Sequence, residues 1–126
     1  MIIHDNFADF VLFLYIHMAH ADGEYHHSEE EAILNKIPKL YHNEGDPVAK
    51  LKAGLIAYKK VKPADIKKIV HDTFVHFDHI KFSQKYKVYT DIFVIVNAVG
   101  KIHAAEKRSL SELIDIIHAG SEMNKS

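Results

Sequence analysis

Ala21-Asp22-Gly23-Glu24-Tyr25-His26-His27-Ser28-Glu29 returns in outline 77 positions later as Ala98-Val99-Gly100-Lys101-Ile102-His103-Ala104-Ala105-Glu106. Alanine, glycine, histidine and glutamate coincide. The surroundings coincide too: each stretch follows a strongly apolar run and precedes a run with apolar residues at helical spacing. Glycine reaches the left-handed conformation at little steric cost, so each stretch reads as one helix ending at glycine and another beginning a few residues on. Two such units at the two ends of the chain predict an all-α bundle with two pseudo-symmetric halves.

Working outward, the spacing predicts a first helix over about 6–20. Phe7, Phe10, Val11, Leu14 and Met18 share one face, and Leu12, Phe13 and Ile16 lie on others, so this helix is apolar nearly all round and should be central. A second helix starts near His26 or Ser28, carries Ile33, Ile37 and Leu40, and is bent or ended by Pro38. Asp46 and Pro47 read as an N-cap and first helical residue for a third helix with a Val48, Leu51, Leu55, Tyr58 stripe. Pro63 opens a fourth, whose inward face is Ile66, Ile69, Val70, Thr73, Phe74 and Phe77. Ser83 caps a fifth, in which Val88, Tyr89 and the run from Ile92 to Val96 leave little polar surface and predict a second buried helix. A sixth covers about 104–119 with Leu110, Leu113, Ile114 and Ile117 inward, and Gly120 stops it. No stretch shows the strict alternation of a half-buried strand. No linker divides these elements, so residues 1–126 are expected to form a single domain of about six helices.

Composition narrows the function classes. Sixteen basic and seventeen acidic residues nearly cancel, which leaves no overall field to attract nucleic acid. The first apolar run, Phe10 to Met18, is far shorter than the ~20 residues that span a bilayer, and acids rather than bases precede it. A cytoplasmic protein without direct membrane insertion or a signal peptide is expected. With no cysteine, disulfides, thiol nucleophiles and thiolate metal sites are excluded, and any metal must be held by nitrogen and oxygen. Eleven histidines are the unusual count; imidazole binds transition metals and titrates near neutrality, so the excess directs attention to metal or pH chemistry.

The first turn supports two readings. Glu29 lies four residues before Ile33, and Glu106 four before Leu110, so each acid heads the apolar stripe of its helix. With His26 or His103 at the N-cap, each glutamate occupies N3, where it can accept backbone N–H bonds and meet the positive helix end. Ser28 and Glu31 form a competing capping box. Alternatively Asp22, Glu24, His26 and Glu29, with His20 nearby, supply an oxygen-rich set with imidazole that suits a divalent metal ion. The loop lacks the alternating ligands and twelfth-position acid of an EF-hand.

Ala21-Asp22-Gly23 followed by Glu29, between an apolar helix and an amphipathic one, resembles the TerB family of tellurite-resistance-associated proteins, which includes the N-terminal region of the co-chaperone DjlA. The resemblance is carried by the two ends of the chain, with the middle helices following by pattern. It implies an all-helical pseudo-twofold bundle and a cytoplasmic binding role in stress or metal-ion response. Val99 departs from the family, which often repeats the acidic turn in its second half; an ion site shared by the two turns would be weakened here.

Two further groups stand out. Asp72, His76 and His79 fall at i, i+4 and i+7, away from the inward face of the fourth helix, and form a second metal candidate. Lys59, Lys60, Lys62, Lys67 and Lys68 make the one basic cluster, where a phosphate or acidic partner could dock. Phosphate loops, His-Glu-x-x-His helices and Gly-x-Ser-x-Gly elbows are absent from the sequence. The sequence therefore points to a non-catalytic module with a protein partner or a divalent ion as ligand. The alternatives are a metal-dependent hydrolase using Asp22, His26 and Glu29, or a structural domain that forms homo-oligomers.

Overall fold

The computed structural model describes the backbone of residues 2–21, 25–99 and 104–123, with the side chains of those residues except 99, 104–106 and 119–123. Its helices are α1 (Phe7–Ala19), α2 (His27–Leu40), α3 (Pro47–Lys59), α4 (Ile66–His76), α5 (Phe82–Val96) and α6 (Ala104–Met123). Short 3-10 turns, Pro63–Asp65 and Asn97–Val99, lead into α4 and out of α5. No strand occurs among the described residues, and none of their helices is long and apolar enough to cross a membrane.

Asn6 starts α1, its side-chain oxygen accepting the backbone N–H groups of Ala8 (2.8 Å) and Asp9 (3.3 Å). Every side chain from Phe10 to Ile16 is buried, which is possible only because α2, α3, α5 and α6 all pack around this helix. α4 packs on α6, and it and the Phe77 that follows it reach α1 through edge-on aromatic pairs, Phe10 with Phe74 at 5.2 Å and Phe7 with Phe77 at 5.3 Å between centroids. Such pairs contribute about 0.5–1.5 kcal/mol each beyond their area burial. The α1–α2 and α5–α6 hairpins are brought together by the packing of α5 against α1 and α2.

α3 approaches α1 closely because Gly54 has no side chain at the contact: a Cβ there would stand 2.8 Å from Ile16 Cδ1 and 3.1 Å from Leu12 Cδ2. As the Asp-Pro pair predicts, Asp46 caps α3 by accepting the Ala49 N–H (3.1 Å), with Pro47 first in the helix. The turn before it places His42, Asn43 and Gly45 in the left-handed region.

Several sequence expectations are corrected. Pro38 lies inside α2, which continues to Leu40; in the last turn the proline forfeits only one backbone bond. Val48 is exposed, leaving Leu51 as the fully buried member of the α3 stripe. Ser83 is not the cap of α5: Lys81 holds that position without a side-chain bond. α5 is not buried all round either, because Phe93 and Val94 face outward while Val88, Ile92, Ile95 and Val96 are buried. Gly120 does not stop α6, which runs on to Met123, since a glycine inside a helix costs only about 1 kcal/mol.

Candidate functional site

Asp22, Gly23 and Glu24 lie outside the described residues, as do residues 100–103 and the side chain of Glu106. The remaining part of the first turn is built around Glu29. Its side chain is fully buried, and Oε1 accepts the backbone N–H of His26 at 3.2 Å. That bond gives the α2 start a partner for one of its orphan donors and sets a carboxylate against the positive helix end. His26 is the N-cap residue, so Glu29 occupies N3 as its spacing predicts.

Next to this start lies a cluster of rings that sequence spacing did not reveal. His20 stacks on Tyr25 (4.4 Å between centroids, 10° between planes) and lies 5.1 Å from Tyr58 on α3. Its Nδ1 is 2.7 Å from the Ile16 carbonyl oxygen and so carries the proton. His17 Nδ1 pairs with the Tyr58 hydroxyl at 3.1 Å. Burial lowers the His17 pKa, the neighbouring His20 adds to this, and Glu112 opposes it. Burial likewise raises the Tyr58 pKa. His17 and Tyr58 are therefore both neutral at neutral pH. His17 also lines a cleft of about 240 Å³ between α1, α4 and α6, floored by Leu14, Met18, Ile66 and Leu113, with Lys67 and Glu112 among its polar residues.

The second metal candidate is not assembled as a helical face. α4 ends at His76, so His79 lies in the following turn and the i+7 relation to Asp72 no longer applies. His76 and His79 are exposed and each lies near the Phe77 ring (4.9 and 6.0 Å between centroids), and Asp72 Oδ1 pairs with His71 Nδ1 at 3.3 Å. Among the described residues, no group of three histidine, aspartate or glutamate side chains is placed to hold a metal ion. Lys59, Lys60, Lys62, Lys67 and Lys68 are all exposed.

A larger groove, of about 620 Å³, runs between α1, α2 and α5. Phe7, Val11, Tyr15, Ala32, Leu40, Val88 and Val94 supply its apolar surface. Its one acid, Asp91, is held by Lys36 (3.2 Å), Lys87 (3.0 Å) and the Tyr15 hydroxyl (3.4 Å). Burial pushes the Asp91 pKa up, but hydrogen bonds from the two ammonium groups outweigh it and hold the carboxyl below its usual value. Burial, then the adjacent carboxylate, raises the Tyr15 pKa, so the phenol keeps its proton and donates it. The Lys87–Asp91 spacing was legible as an i, i+4 pair, whereas Lys36 lies 55 residues away and no local pattern announces it.

An all-helical bundle whose two ends share a sequence echo, with a buried glutamate at the start of α2, defines the class of protein. A family model described as tellurite resistance protein TerB matches residues 8–123, nearly the whole chain, and the chain belongs to that family. Searches of curated proteins and of solved structures returned no match.

Proposed function

We propose that the chain is a non-catalytic TerB-family binding module of the cytoplasm, acting in stress or metal-ion response through contacts with a protein partner. One observation carries the protein-contact reading: exposed apolar side chains concentrate on α5, where Phe82, Tyr86, Phe93 and Val94 are 40–55% exposed. Phe82, Tyr86 and Phe93, with half-buried Tyr89 between them, recur at helical spacing and form a single stripe, whose Phe82 ring lies 5.7 Å from that of His118 on α6. Large aromatic side chains left in water on one stripe are the composition expected of contact surfaces. A cation at the Asp22-Gly23 turn is the other route, and Glu29's engagement with the α2 backbone argues for architecture there instead.

The test is capture of a discrete partner by the purified protein and by Phe82→Lys/Phe93→Lys, with thermal midpoints compared. Recovery by the native protein and loss with a folded variant supports the module; equal recovery by both removes the α5 stripe from it. Metal-stimulated turnover of generic ester or phosphate substrates would support the hydrolase instead. A concentration-dependent mass abolished by the same variant would support an oligomerisation domain.

A further inference from the structure

We infer that the groove between α1, α2 and α5 is a docking site for a short acidic amphipathic helix of a partner protein. This rests on the protein-contact reading above but concerns a different surface from the Phe82–Phe93 stripe. Three observations select the occupant: the length of the groove, its apolar floor and the sign of its rim.

Residues that line the groove span positions 7–15 on α1, 32–42 on α2 and the turn after it, and 84–94 on α5. At 1.5 Å rise per residue, the α5 wall is about 15 Å long and the α1 wall about 12 Å. That is the length of two to three helical turns. Exposed Val94 on α5 and half-buried Phe7, Ala32 and Leu40 on α1 and α2 give the apolar contacts that anchors at i, i+4 and i+7 of a guest helix would make, over a floor of buried Val11, Tyr15 and Val88.

The rim then sets the charge. Lys36, Lys39 and Lys87 line the groove against one acid, Asp91, which already receives hydrogen bonds from Lys36 and Lys87. Lys39 and Lys87 are exposed, and His42 stands beyond Leu40 at the α2 end. An apolar trough with a net positive rim is complementary to a helix that carries carboxylates on either side of an apolar stripe, and it repels a basic one. The Asp91 cluster adds a fixed point: with Tyr15 and Lys36 holding its carboxylate, α1, α2 and α5 are tied together and the trough keeps its width.

The probe is a fluorescein-labelled, hydrocarbon-stapled peptide of about three turns, with leucines at i, i+4 and i+7 and glutamates elsewhere. Its counterparts are a lysine-for-glutamate version and one with the leucines scrambled. Fluorescence polarisation is measured on the full chain and on Lys39→Glu/Lys87→Glu. The acidic peptide is expected to bind saturably, more weakly as salt rises. Charge reversal of the two lysines should weaken it by about tenfold and strengthen the lysine peptide. The scrambled peptide should bind poorly to both proteins.

Equal binding of acidic and basic peptides, an unchanged affinity in a folded charge-reversal variant, or no saturable binding overturns the assignment. So does displacement of the acidic peptide by palmitate at submicellar concentration, or a concentration-dependent dimer of the chain that the acidic peptide dissociates, since either names a different occupant. If the Phe82/Phe93 variant loses its captured partner while no acidic helix binds, the module reading stands and the groove assignment falls. If neither surface binds, both fall.

Discussion

Replacing Gly54 by alanine tests whether the α1–α3 approach is set by the missing side chain. Two effects oppose each other. Alanine favours the helix over glycine by about 1 kcal/mol. Against this, the added Cβ would sit 2.8 Å from Ile16 Cδ1 and 3.1 Å from Leu12 Cδ2. Ile16 is fully buried and Leu12 nearly so, which leaves those methyl groups no open space to move into. Overpacking of that kind costs about 1–3 kcal/mol. The net expectation is a loss of about 1 kcal/mol, or a thermal midpoint lower by about 4 °C at this chain length. Ile16→Val removes the Cδ1 atom that the new Cβ meets and by itself costs about 0.5–1.5 kcal/mol. In the Gly54→Ala background the same change should cost little or restore stability, a coupling of about 1 kcal/mol. Urea unfolding of the four proteins, followed by circular dichroism, measures it. If Gly54→Ala alone raises the midpoint by several degrees, helix propensity governs the position and the packing argument is refuted.

Three further outcomes are expected. Glu29→Ala should destabilise by about 1–3 kcal/mol, because the His26 N–H loses its acceptor at the α2 start, while Glu29→Gln, which keeps an acceptor, should lose less; equal urea midpoints for all three proteins would remove the capping role. The lowered His17 pKa means the unfolded chain binds a proton that the folded chain resists, so this histidine's contribution is present above the ordinary imidazole value of 6.5 and is lost as pH falls below it. Denaturant midpoints should fall between pH about 7.5 and about 5.5, and less steeply in His17→Gln, with His4 retaining a contribution of the same sign; parallel profiles for the two proteins would refute this. Calorimetric titration of metal-stripped protein with zinc, nickel, manganese, calcium and magnesium decides the ion readings: saturable heat abolished by Asp22→Ala places an ion at the first turn, and loss with His76→Ala places it after α4. No saturable heat is the outcome that fits a module working through protein contacts alone.

The sequence by itself determined the helices and their order, because helix formation is written locally: the period of apolar residues and the Asp46-Pro47 and Pro63 starts. It also determined that α1 is central, since a helix apolar on every side can only be surrounded. The matched turns and their glutamates were enough to indicate the family, and Glu29's place at N3 followed from counting. Tertiary structure decided what each helix leaves uncovered. Phe93 and Val94 are as apolar as Ile92 and Ile95, and only the positions of α1, α2 and α6 around α5 determine which of them meet water. The same holds for the groove and the ring cluster: Lys36 reaches Asp91, and Tyr58 reaches His17 and His20, across intervals that no local periodicity encodes. Burial and long-range pairing depend on which surfaces the fold brings together, so they entered only with the packed bundle.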